Sequence, residues 1–189
     1  MSDLRERTID IVKTYGLVHR EEPFRLASGE LSHDYMNGKK ALAAGDRLKT
    51  ACEAIVEMVA EQGVEFDAVG GLTLGADCYA YGIAMLTGKE WFVVRKQQKD
   101  HGAQKRVEGA ELGPGVRVLL VDDVVTTAGS ILQSLDVVQE LGAEVVLAVT
   151  LVDRGDVGRI KFADRGIPYS PLLTYADLGI RPVGGAASA

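Results

Sequence analysis

Cysteine is scarce: Cys52 and Cys78 are the only two, and their spacing matches no metal-ligand pattern, so neither a disulfide nor a zinc site is expected. No apolar stretch approaches the ~20 residues that cross a bilayer. The opening Met1-Ser2-Asp3-Leu4-Arg5-Glu6-Arg7 also has no apolar secretory segment, so a cytoplasmic protein with no membrane partner is expected. Positive charge is in deficit, 21 Lys and Arg against 27 Asp and Glu, and the net charge of −6 opposes general nucleic-acid binding. Any anion site must be local. The chain has no Gly-x-Gly-x-x-Gly after a strand and no Gly-rich loop closed by Gly-Lys-Ser/Thr, which excludes dinucleotide and P-loop readings. It has no internal repeat and no interdomain linker, so residues 1–189 are read as one domain, with the small-residue tail 183–189 disordered.

What is present is an alternation of two periods. Leu4, Thr8, Ile11, Val12 and Tyr15 mark a helix ending near Gly16, and Asp46 opens a second that stops at Gly63. Cys52 falls on the apolar face of the second helix with Leu48, Ile55 and Val59, which makes it a core residue. Short β-rich runs at Phe66–Gly70, Trp91–Val94, Val116–Val121 and Val145–Val152 alternate with helical stretches near Ala76–Thr87 and Ile131–Leu141. That order predicts an α/β fold with a parallel sheet flanked by helices. Residues 17–45 and 153–180 break the alternation and are expected to form a small hood over the carboxyl edge of the sheet.

The most informative segment is Val118-Leu-Leu-Val-Asp-Asp-Val-Val-Thr-Thr-Ala-Gly-Ser130. A buried strand ends here in two carboxylates, and a hydroxyl-rich loop leads into a helix, at the edge where parallel sheets bind ligands. Thr126, Thr127 and Ser130 can donate hydroxyls. Ala128 and Gly129 admit close backbone approach, and the free N–H groups of the next helix suit a phosphate. Phosphate repels Asp122 and Asp123, so their partners are sugar hydroxyls or a hard cation such as Mg²⁺ carried by a polyphosphate. A ribose bearing phosphate and diphosphate satisfies every group. A second concentration of polar groups, Arg95-Lys-Gln-Gln-Lys-Asp-His-Gly-Ala-Gln-Lys-Arg106, is strongly basic in an acidic protein. A cation contact at 4 Å is worth roughly 1 kcal/mol in water and about 4 at an effective dielectric near 20, so this loop acts most strongly when it closes and excludes water.

The acid-pair segment resembles the phosphoribosyl-diphosphate (PRPP) motif of type I phosphoribosyltransferases. The resemblance implies that Asp122 and Asp123 hold the ribose hydroxyls and that Val124, Val125, Thr126, Thr127, Ala128, Gly129 and Ser130 form the 5-phosphate loop. Arg95-Lys96-x-x-Lys99-x-His101-Gly102 resembles the catalytic loop of orotate phosphoribosyltransferases. By that resemblance Arg95, Lys96, Lys99 and His101 face the diphosphate, Lys99 and His101 as catalytic groups, and the loop crosses a homodimer to act in the neighbouring subunit. Phe24 to Asn37 is similar to the family's N-terminal element, which places Tyr35 on the base. Gly70 to Asp77 is similar to its diphosphate loop, and Arg154 stands where the family has an Arg on the polar edge of orotate, with Thr126 beside it. The implied substrates are PRPP and orotate, with Mg²⁺ carried by PRPP rather than bound directly by protein. The implied products are orotidine 5′-monophosphate and diphosphate, within pyrimidine synthesis. Two departures stand out: Ala27 replaces a family Lys, and the diphosphate loop offers only Leu74 and Gly75 where many relatives have Lys. The rivals are a transferase for another nucleobase and a PRPP-sensing regulator without catalysis.

Overall fold

The first turn of the chain is closed by Ser2, whose Oγ accepts the Arg5 N–H at 3.3 Å, and Asp3 and Glu6 complement the positive end of the helix that follows. The computed structural model describes residues 2–25, 29, 31–97 and 106–181. Helix α1, Asp3–Ile11, gives way at Val12–Gly16 to a π turn rather than continuing as α-helix. Gly16 is pressed there against Ala41, so closely that an added Cβ would lie 2.8 Å from the Ala41 Cβ. Strands β1, Leu17–Arg25, and β2, Leu31–Met36, then pair antiparallel as a separate two-stranded sheet, with a bulge between His19 and Phe24. This is the expected hood. Asn37 caps a short helix α2, Gly38–Ala41, by accepting the Lys40 N–H at 3.0 Å.

Helix α3, Gly45–Glu61, buries Ala51, Cys52, Ile55 and Val59, as its period predicts. The main sheet is then laid down by β3 (Ala68–Leu72), helix α4 (Asp77–Thr87), β4 (Glu90–Val94), β5 (Val107–Gly109), β6 (Arg117–Val125), helix α5 (Gly129–Glu140), β7 (Glu144–Asp153), helix α6 (Val157–Asp164) and β8 (Tyr169–Thr174). The strand order is β5-β4-β3-β6-β7-β8, all parallel except the edge strand β5. Successive side chains point to opposite faces. Leu119, Val121, Val149 and Leu151 therefore pack into one core with α3 and α4, while Val118, Leu120 and Ala148 join Ile131, Leu135 and Phe162 in the other. Each fully buried leucine contributes about 2 kcal/mol. Among the described residues no helix is long and apolar enough to cross a membrane.

Two expectations change. Residues 153–180 supply helix α6 and strand β8 to the main layer rather than a cover, because β8 pairs in register with β7 from Ala148↔Tyr169 to Asp153↔Thr174 and Phe162 of α6 is buried in the core beside Ile131 and Leu135. Strand β6 also continues past Val121, through both aspartates to Val125, because β7 stays bonded along it to Val125↔Asp153. On its other side β3 pairs with it only as far as Gly70↔Leu120. Strand order reverses between β3 and β6, and the two strands part there, which opens a cleft at their carboxyl ends.

Candidate active site

The cleft holds a cavity of about 410 Å³ lined by Lys39, Leu72, Thr73, Leu74, Gly75, Lys96, Asp122, Asp123 and Ser130. Asp122 and Asp123 project from the part of β6 that has lost β3 as a neighbour. Asp122 is 5% exposed, and its Oδ1 accepts the Asp123 N–H at 2.9 Å. Asp123 Oδ1 accepts the Val124 N–H at 2.7 Å, and its Oδ2 receives the Lys39 ammonium at 2.7 Å. Burial, and next the adjacent Asp123 charge, push the Asp122 carboxyl up to about 7. Desolvation opposes the Lys39 charge, but the Asp123 hydrogen bond and the charges of Asp123 and Asp122 outweigh it and raise the Lys39 pKa. Asp77, at the start of α4, is likewise raised by desolvation, with Lys39 working against the rise.

Opposite the acid pair, the turn from β3 comes so close that a Cβ on Gly75 would overlap Asp122 Oδ1. No side chain fits there unless Asp122 moves. The loop after β6 bends at Thr126 and Thr127 and enters α5 through Ala128, which adopts a left-handed conformation at φ 61°. The first helical bond runs from the Leu132 N–H to the Ala128 carbonyl, so the N–H groups of Gly129, Ser130 and Ile131 have no intrahelical acceptor. They and the Ser130 hydroxyl are donors of the kind that suits an anion, beside the carboxylates. Lys161 on α6 braces this loop by donating to the Thr127 carbonyl at 2.8 Å.

The predicted residues fall into four groups. Asp122, Asp123, Lys96 and Ser130 meet in the cavity, with Val124, Val125, Thr126, Thr127, Ala128 and Gly129 as the strand end and loop that shape it. Arg95 is turned toward β5, 3.7 Å from Glu108, and is absent from the cavity wall. Tyr35 and Arg154 lie outside the cavity wall. Tyr35 packs edge-on against Phe24 at 5.8 Å, and Arg154, 8% exposed, donates to the carbonyl of the adjacent Met36 at 3.3 Å and lies 5.7 Å from the Tyr175 ring. Arg154 Nε and Tyr175 Oη are buried without a hydrogen-bond partner among the described residues. Lys99 and His101, like Ala27 and the tail 183–189, lie outside the described residues.

Sequence reasoning missed Lys39 and Lys161. Lys39 stands two positions beyond the segment singled out by its motif, and its link to Asp123 spans 84 residues, so local pattern carries no signal of it. A larger cavity of about 590 Å³ lies along Arg106–Leu112 and the end of α5; it is lined by Glu108, Glu111 and Glu140 but has no helix start in its wall. Among the described residues no group of three or more His, Cys, Asp or Glu is placed to hold a metal ion by itself.

The model of the phosphoribosyl transferase domain family matches residues 40–161. An orotate phosphoribosyltransferase of Leptospira biflexa is 40% identical over 180 residues, covering 92% of this chain and 96% of its own length. Among solved structures, an orotate phosphoribosyltransferase of Mycobacterium tuberculosis superposes with a TM-score of 0.81 at 35% identity, covering 94% of this chain and 99% of that one. A second structure of the Mycobacterium tuberculosis enzyme, in complex with PRPP, superposes with a TM-score of 0.78 at 32% identity, covering 94% and 99% of the two chains.

Proposed function

Because the chain belongs to the orotate phosphoribosyltransferases of the phosphoribosyl transferase family, we propose that it is a single-domain cytoplasmic enzyme that joins the phosphoribosyl group of PRPP to orotate, giving orotidine 5′-monophosphate and diphosphate for pyrimidine synthesis. The observation that carries this reading is the Asp122–Asp123 pair, set in one cavity with the Gly75 turn, Lys96 and the start of α5. Carboxylates accept hydrogen bonds from ribose hydroxyls, and backbone N–H groups with Ser130 take the 5-phosphate, so the two ends of the sugar have separate chemistry to hold them.

The reaction breaks the C1–O bond to diphosphate as the anionic base nitrogen of orotate attacks. Positive charge grows on the sugar and negative charge on the leaving group. Protein catalysis is therefore positioning and charge stabilisation. Asp122 and Asp123 fix the ribose. Lys96 faces the diphosphate, and Arg95, Lys99 and His101 join it when their loop closes, with His101 donating a proton or hydrogen bond to the departing oxygen. Arg154, held at the Met36 carbonyl, presents paired donors to the planar oxygen-rich edge of orotate, and Thr126 assists. Asp122 and Asp123 offer hard oxygens that would face a Mg²⁺ carried by PRPP, and that ion would supply charge neutralisation to the leaving group. The active unit is a homodimer in which Lys99 and His101 serve the partner's cavity.

Orotate consumption followed by absorbance, with PRPP and Mg²⁺, tests the reading when parallel reactions offer uracil, hypoxanthine and adenine. Turnover of orotate alone, lost in Lys99→Ala, is the expected result. Turnover of another base would reassign the substrate, and PRPP binding without any turnover would indicate a sensor.

A further inference from the structure

We propose that Lys39 is a diphosphate-binding residue, supplying from α2 a cation that the β3 turn of this chain does not carry. The inference rests on the phosphoribosyl-transfer reading of the cavity. Leu74 is apolar and exposed, and Gly75 has no room for a side chain because its Cβ would overlap Asp122 Oδ1. The turn that faces the acid pair therefore offers backbone but no positive charge. Among the described residues that line the cavity, only Lys39 and Lys96 are basic.

Lys39 is delivered to this place by packing. Asn37 caps α2, and Gly38 sits against β6, where a Cβ would meet Val124 Cγ2 at 3.5 Å and Asp123 Cβ at 3.6 Å. The ammonium group then spans from α2 to Asp123 Oδ2 at 2.7 Å, with its side chain 55% exposed toward the cavity. An ammonium has three donors, and one goes to Asp123, which leaves two that can turn to another oxygen.

The geometry of the substrate makes the same point. The diphosphate is attached to C1 of the ribose, next to the carbon whose hydroxyl a carboxylate of the pair would hold. A cation already touching that carboxylate is within reach of the diphosphate without leaving it. Lys39 thus bridges ribose holder and leaving group, and the surrounding acids keep it charged at any physiological pH.

Titration calorimetry with inorganic diphosphate and, separately, ribose 5-phosphate, both with Mg²⁺, decides the matter for wild type, Lys39→Met and Lys39→Arg. Lys39→Met is expected to weaken diphosphate binding about tenfold or more while ribose 5-phosphate changes less than about twofold, and Lys39→Arg is expected to stay within about threefold for both. Equal weakening of both ligands would make Lys39 a support for Asp123 alone and overturn the proposal. Unchanged diphosphate affinity in Lys39→Met, or a loss in Lys39→Arg as large as in Lys39→Met, would overturn it too. Thermal unfolding of each variant verifies folding, with Lys39→Gln in place of Lys39→Met if the latter fails to fold. Orotate turnover by the wild type tests the underlying reading separately, because the binding comparison does not require catalysis.

Discussion

At Asp122, folding and binding make opposing demands. Burial with a second carboxylate alongside favours the protonated form, whereas ribose hydroxyls need an ionised acceptor. The folded pKa of about 7 lies above the ordinary value of 3.8. The folded state therefore binds the proton more tightly, and this contribution to stability is fully present below pH 3.8 and lost as pH rises through about 7. Asp122→Asn keeps the shape and removes the titration. Its melting temperature is expected to match wild type at about pH 4 and below and to exceed it progressively as pH rises, by roughly 2–8 °C or more at pH 8, as at least about 1–2 kcal/mol implies for a chain of this size. Phosphoribosyl transfer is expected to fall about 10- to 100-fold, the loss of a charge-assisted hydrogen bond. Melting curves across this pH range check the first expectation and steady-state rates the second. A melting difference that does not change with pH would sink the titration argument.

Among the secondary-structure elements, those that bury one face were legible in the sequence. Helices α3, α4 and α5 and the central strands announce themselves by period, since a core face repeats every 3.6 or 2 residues. Edge and hood elements do not: β5 has three residues and is half to fully exposed, and β1 is mostly exposed. Strand β8 lies in the segment set apart for breaking the alternation; it carries Pro171 and pairs on one side only, as an edge strand can. The acid pair was legible as chemistry but not as strand, because only the pairing of β6 with β7 shows that the ladder persists to Val125. Lys161 depends likewise on tertiary approach, as it reaches the Thr127 carbonyl in the loop after β6 from 34 residues away. Lys161→Ala is expected to raise the KM for PRPP about threefold to tenfold, in line with one lost hydrogen bond of ~1 kcal/mol, with kcat within about twofold. An unchanged KM would show that the loop holds its shape without the brace.

For the whole molecule, the proposed homodimer, in which Lys99 and His101 would serve the partner's cavity, has a countable consequence. Lys99→Ala and Asp123→Asn would each be inactive as homodimers. Mixed one to one and allowed to exchange, they are expected to recover roughly a quarter of the wild-type rate, because half of the dimers are hybrids with one intact site in two. No recovery after exchange, verified by sedimentation and labelled subunits, would put the loop in its own subunit's site. The backbone amides of Asp123 and Val124 carry a further consequence. Both donate to side-chain carboxylates, Asp122 and Asp123, at 2.9 and 2.7 Å, where the neighbouring strand β3 has already departed. Their exchange with deuterium is therefore governed by whether those carboxylates are engaged, and PRPP should slow it more than it slows the amides of the buried β3. If the proposed ribose site is right, two peptide groups in the middle of the chain would act as a built-in meter of sugar occupancy, readable without any turnover.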